Sequence, residues 1–131
     1  MIKEAYCSYE VSELLKKKGF DEECTHYYSY EDDELIEYTN GVYSRNSKDC
    51  HRCTSPTLQM ACAWLREVHN KHCDIGYDID LEWYFQIIDL KQTAEYDYPE
   101  MKIYHAENST GFNSYEDAVE AALKYSLENL L

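Results

Sequence analysis

The stretch Thr54 to Asn70, TSPTLQMACAWLREVHN, constrains what this chain can fold into more than any other. Leu58, Ala61, Cys62, Leu65 and Val68 recur at i, i+3, i+4, i+7 and i+10, which puts them on one face of a 3.6-residue helix and asks for burial along it. Met60 and Trp64 widen that face, while Gln59, Arg66, Glu67 and Asn70 fall toward solvent. A helix over 54–70 is predicted. Ser55 is its expected cap, through a side-chain oxygen on the unpaired N–H groups, and Pro56 its first helical residue, where no hydrogen bond is lost. The remaining elements are expected to pack around this rod.

Upstream, Ser8 to Lys18 reads as a first helix with Val11, Leu14 and Leu15 inward. Lys16, Lys17 and Lys18 suit the negative end of its dipole, and Gly19 supplies the left-handed stop. Residues 21–34 are acidic and tyrosine-rich and show no period, so they read as a loop with one short strand at Tyr27 to Tyr30. Thr39-Asn40-Gly41 between Leu35–Tyr38 and Val42–Tyr43 predicts a hairpin, since both central residues of a type I′ turn need positive φ. Arg45 to Cys53 reads as a polar, irregular lead-in to the central helix.

Downstream lies the best strand signal. Tyr77, Ile79, Leu81, Trp83, Phe85 and Ile87 alternate with Asp78, Asp80, Glu82, Tyr84 and Gln86, a period of two with one face buried. A hairpin with strands at about 72–76 and 81–89, turning at 76–80, fits better than one 13-residue strand when strands run to about 5–6 residues. Residues 91–100 are expected to loop, Met101 to His105 to form a short strand, and Ser114 to cap a last helix with Asp117 as its capping-box partner. That helix buries Ala118, Val119, Ala122, Leu123, Leu127 and Leu130. With 131 residues and 44% hydrophobic content the chain can bury a real core. The expected fold is one α+β domain over residues 1–131, with about three helices packed on a small, mainly antiparallel sheet.

Charge excludes several partners. Twelve basic against 26 acidic residues leave a net charge of −14, which opposes direct binding to nucleic acid or to an anionic membrane surface. The first ten residues show no apolar run behind a basic region, and no segment approaches the roughly 20 apolar residues of a membrane helix. A soluble, cytoplasmic protein with reduced cysteines is the expectation.

Cys50-His51-Arg52-Cys53 is the first constellation with possible chemistry, because C-x-x-C is the unit of zinc sites and dithiol redox centres. With His69 and Cys73 it writes C-x2-C-x15-H-x3-C, but a helix over 56–69 separates the two halves by about 20 Å, beyond one zinc ion. A dithiol centre would draw on the helix N-terminus after Cys53 to lower a thiol pKa, although a polar, irregular lead-in is not its usual βαβ setting. His69, His72 and Cys73 stand at i, i+3 and i+4, ligand-like spacing if the helix continues; a polar helix end is the plainer reading. Trp64 and Trp83 read as core. The clusters Asp21-Glu22-Glu23 and Glu31-Asp32-Asp33-Glu34 lack the spacing and glycine of a calcium loop and read as solvated surface. No phosphate loop, nucleophile elbow or HExxH motif is present. No residue is therefore assigned as catalytic, cofactor-binding or metal-ligating, and no cofactor is implied.

Four blocks carry a resemblance: SYEVSELLKKKGF at 8–20, SPTLQMACAWLREVHN at 55–70, WYFQIIDL at 83–90 and SYEDAVEAALKYSLENLL at 114–131. In these the chain resembles small uncharacterised proteins of anaerobic gut bacteria and their phages or prophages. The resemblance implies a mobile-element context and carries no catalytic residue. Absent catalytic motifs, 14 tyrosines and this context together point to a non-catalytic protein–protein interaction module with a protein partner. An acidic nucleic-acid mimic is its most specific form. The alternative is a small metal-binding protein using Cys50 and Cys53.

Overall fold

The structure, a computed structural model, describes residues 2–41, 43–48, 51–90 and 102–131. It is an α+β fold with three α-helices and two three-stranded antiparallel sheets among the described residues. The expected sheet is thus present as two. The chain divides into two compact units, Met1–Ala61 and Cys62–Leu131, each with a sheet of its own.

The first unit begins with α1 (Tyr9–Lys17), capped as its sequence predicts: the Val11 N–H donates to Ser8 Oγ at 3.2 Å, and Gly19 stops it at φ +92°. Val11 and Leu15 are buried, while Leu14 is only half-buried. β1 (His26–Ser29) lies between β2 (Leu35–Glu37) and β3 (Arg52–Thr54), pairing Tyr27 with Ile36 on one side and with Thr54 on the other. This corrects two expectations. The hairpin turns through Tyr30–Glu34, with Asp33 at φ +54°, and not through Asn-Gly; residues 39–41 form a 3-10 turn instead. Arg52–Thr54 is a strand held by long-range pairing, where Arg52 and Cys53 were expected in the irregular lead-in and Thr54 at the start of the helix.

Polar groups tie this unit together. Three hydroxyls converge on one carbonyl: those of Tyr28 and Ser55 donate to Cys7 O at 2.9 Å each, and that of Ser12 at 3.5 Å. Ser55 is therefore no helix cap. Its side chain is buried and turned inward, and Thr57 Oγ1 accepts from the Met60 N–H at 3.1 Å in its place. Residues 54–57 fall outside α2 (Leu58–His69) because they pair with the N-terminal segment: Cys7 N–H donates to Pro56 O and Leu58 N–H to Ala5 O. Buried Asn46 donates to Phe20 O at 2.8 Å and accepts from the Thr54 N–H at 3.0 Å.

The division between the units falls within α2, after Ala61. Leu58, Ala61, Trp64 and Leu65 are buried as predicted, but Val68, placed on the buried face by spacing, is 56% exposed. In the second unit β4 (Lys71–Asp78) and β5 (Glu82–Asp89) form the expected hairpin, longer than predicted on its first strand and turning at 79–81. β6 (Lys102–Tyr104) pairs with the far end of β5, where Met101–His105 was expected to be extended. The loop expected at 91–100 lies outside the described residues. α3 (Tyr115–Asn129) is capped by Ser114 Oγ, which accepts from the Asp117 N–H at 3.1 Å. It buries Ala118, Val119, Ala122, Leu123 and Leu127 against β4 and β5, and adds Ser126, which the apolar stripe did not flag. Leu130, counted in that stripe, is only half-buried.

Candidate interaction surface and a buried thiol pair

Cross-strand register decides which side chains share a face of the β4–β5 hairpin. Cys73, Ile75 and Tyr77 stand opposite Ile87, Phe85 and Trp83, so all six point to one side. At the inner end this face is covered: Cys73, Phe85 and Ile87 are buried. Toward the turn the cover runs out. Tyr77 is 61% exposed and Ile79, in the turn, 86%, with Leu81 also open. Half-buried Trp83, expected in the core, instead meets Tyr77 edge-on at 5.2 Å and Tyr115, the exposed first residue of α3, at 5.8 Å. Alternation alone had assigned Tyr77, Ile79 and Leu81 to the core.

The tip is rigidly built. Asp78 Oδ1 accepts the N–H groups of Asp80 and Leu81 at 2.8 and 3.3 Å, closing the turn, and Glu82 takes φ +59°. Behind it, residues 109–112 run along the outer edge of β5: Gly111 N–H donates to Leu81 O, Phe112 N–H to Trp83 O, and Phe85 N–H to Ser109 O. Asp78, Asp80 and Glu82 on the hairpin, and Glu116 and Asp117 after Tyr115, are the acidic neighbours of these apolar side chains in sequence. An apolar tip with acidic neighbours can accept a surface that is apolar at its centre and basic around it.

The ligand-like residues do not assemble. Cys50 lies outside the described residues. Cys53 is on β3, fully buried, and burial pushes its thiol up to about 11, the opposite of the shift a helix N-terminus would give. The helix does not continue so as to carry His69, His72 and Cys73 on one side: α2 ends at His69, Asn70 turns at φ +58° and β4 starts at Lys71. His72 and Cys73, adjacent on a strand, then face opposite ways. His69 packs edge-on to Trp64 at 4.8 Å, and His69 Nε2 and His72 Nδ1 are buried without a hydrogen-bond partner. Among the described residues no three His, Cys, Asp or Glu side chains gather as a metal site would require.

Cys62, half-buried on α2, and Cys73, buried on β4, are free thiols. The neighbouring Cys73 thiol and the Arg66 guanidinium hold Cys62 below its ordinary value, against burial and the Glu120 carboxylate, while Cys62 and near-complete burial push Cys73 well above its own.

Open depressions also mark the surface among the described residues. One of about 410 Å³ is bordered by Phe85, Asn108, Lys124, Tyr125 and Glu128; another of about 340 Å³ by Lys16, Phe20, Asp21 and Asn46. In the second, Asp21 accepts the Ser47 N–H at 2.7 Å, which holds its carboxyl below the usual range and commits it to the local turn. Among the described residues no helix is long and apolar enough to cross a membrane. Comparison with family models, with curated proteins and with solved structures gives no match.

Proposed function

We propose that this protein is a non-catalytic protein–protein interaction module of the mobile-element kind its sequence resembles, docking a partner at the tip of the β4–β5 hairpin. The observation that carries this reading is the apolar group at the tip, Tyr77, Ile79, Leu81 and Tyr115 around Trp83, open to solvent on a turn fixed by Asp78. Exposing such a group costs solubility and adds nothing to the core, so a partner that covers it supplies the reason for it. Large aromatics buried at the centre of an interface carry much of its energy. The neighbouring Asp78, Asp80, Glu82, Glu116 and Asp117 favour a partner bearing Lys or Arg around an apolar depression.

The test is affinity capture of the tagged protein from its native host at low and moderate salt, read by mass spectrometry, beside an Ile79→Glu, Leu81→Glu variant. A stoichiometric host protein held by the wild type and lost by the variant is expected. Capture that the variant retains removes the tip from the interface, and a blank across growth and infection conditions overturns the reading. Retention at moderate salt fits apolar docking, whereas loss by salt alone fits the acidic-mimic form.

A further inference from the structure

We propose that this chain forms a two-fold dimer in which the open edge of β4 pairs antiparallel with β4 of a second copy, centred on Ile75. The proposal does not rest on the hairpin tip having a partner, since Ile79, Leu81 and Tyr115 lie beyond the paired residues. Its basis is the phase of the main chain. On β5 the Phe85 N–H donates to Ser109 O and Trp83 O accepts from the Phe112 N–H, so the odd-numbered residues of β5 turn their main-chain groups away from β4. The even-numbered ones, Gln86 opposite Asp74 and Tyr84 opposite Gly76, therefore carry the bonds between the two strands. Asn70 O, accepting from the Leu90 N–H, continues the same phase. The N–H and C=O groups of Lys71, Cys73, Ile75 and Tyr77 consequently point outward, and none has a main-chain partner among the described residues.

Self-pairing of this edge allows few registers. Outward groups meet only outward groups, so odd-numbered residues stand opposite odd-numbered ones. Centring on residue 74 sets Asp74 against the partner's Asp74 in a close, non-hydrogen-bonded pair, and centring on residue 76 sets Asp74 against the partner's Asp78 twice. Both oppose like charges. Centring on residue 73 runs the outer half of each strand onto Asn70 and the end of α2. Centring on Ile75 avoids all three conflicts. It sets Ile75 against itself, Cys73 against the partner's Tyr77, and the His72 imidazole against the partner's Asp78 carboxylate, with about six main-chain hydrogen bonds. Gly76 then lies opposite the partner's Asp74. The Tyr84 ring crosses Gly76 with its Cζ and hydroxyl nearest to where a Cβ would stand, which brings the O–H over the edge strand as a donor for that carboxylate. Asp74 has an oxygen to spare, because only its Oδ2 accepts from Gln86 Nε2, at 2.7 Å. The far side of the sheet offers no second edge of this length: β6 has three residues, and residues 109–112 line β5. Pairing through β4 thus closes at a dimer and does not propagate.

The experiment follows sedimentation and amide hydrogen exchange by NMR on the reduced full-length protein, over about a hundredfold range of concentration. A species of twice the 15.5 kDa chain mass is expected to grow in as concentration rises. The Cys73, Ile75 and Tyr77 amides are expected to slow about tenfold as it forms, while those of Asp74 and Gly76, already held by β5, change far less. In a mixture of labelled and unlabelled copies, an isotope-filtered contact between the α-protons of Asp74 and Gly76 reports the register, since the two are too far apart within one strand. Ile75→Pro removes an outward N–H and no bond to β5, and His72→Asp sets a like charge against the partner's Asp78. Each is expected to weaken the dimer about tenfold. A monomer throughout, a dimer whose odd-numbered β4 amides exchange as fast as in the monomer, or a contact reporting another register overturns the proposal. Wild-type exchange decides the matter even if a variant fails to fold.

Discussion

The ring of Tyr84 covers Gly76 across the β4–β5 pair so closely that a Cβ on residue 76 would lie 2.8 Å from Tyr84 Cε1, and closer still to the atoms beyond it. Gly76 has an ordinary backbone conformation, so the constraint is steric. Gly76→Ala forces the ring to swing away and is expected to cost about 1–2 kcal/mol. In Tyr84→Ala the same glycine change becomes harmless or favourable, and a double-mutant cycle by urea unfolding measures the coupling. Additive effects would show that the ring yields without cost.

Asn46 spans Phe20 O and the Thr54 N–H with one buried amide. Asn46→Ala removes both of these bonds from a buried site, for an expected loss of about 2–3 kcal/mol in urea unfolding. Asn46→Asp keeps an acceptor for Thr54 but sets a carboxylate against Phe20 O, so it is no milder at neutral pH and recovers when the acid protonates.

Alkaline stability follows from Cys24 and Cys53, whose thiols are held neutral by burial and raised from 9.0 to about 11. The unfolded chain releases these protons first. Their contribution is therefore complete below about pH 9 and is lost as pH rises toward about 11. The urea midpoint is expected to fall across that window, less steeply in Cys24→Ala and in Cys53→Ala. An unchanged slope would show that neither thiol is held neutral by the fold.

On the acid side Asp21 behaves oppositely, its carboxyl lying below 3.8 because it accepts the Ser47 N–H. A depressed pKa gives stability that is present above the unfolded value and lost as pH falls through the folded one. Asp21→Asn is expected to flatten that acid limb by lowering stability above about pH 4 and leaving it little changed well below, as a urea-midpoint series spanning that range would show.

At the tip, Tyr115→Ala removes one wall of the Trp83 site. In a Trp64→Phe background its fluorescence is expected to shift to the red, with a loss of about 1 kcal/mol for the aromatic contact. An unmoved spectrum would mean that Tyr115 does not shield Trp83. Ile79→Asp should change stability by less than about 0.5 kcal/mol, because that side chain covers nothing in the isolated chain.

The parts of the fold legible in the sequence are those governed by local rules. Ser8 and Gly19 bracket α1, Ser114 opens α3, and alternation from Tyr77 to Ile87 with turn residues at 76–80 draws the hairpin, each within one element's length. What escaped depends on distant residues. Arg52–Thr54 is too short to signal a strand and becomes one only beside Tyr27–Ser29. Ser55 looked like a cap because nothing nearby reveals that Cys7 O claims its hydroxyl. Asn40-Gly41 carried the stronger turn signal, yet the partner of Leu35–Glu37 lay upstream, across a turn at Asp33.

The chain along the outer edge of β5 has a consequence for how the tip can be recognised. Leu81 O, Trp83 O and Phe85 N are already bonded to Gly111, Phe112 and Ser109. No incoming peptide can extend the sheet there by main-chain pairing, the sequence-blind route by which open sheet edges capture one another. Whatever approaches along that edge must read side chains, so residues 109–112 guard the β5 side of the hairpin against promiscuous self-assembly, whereas the far edge of β4 has no strand beside it among the described residues.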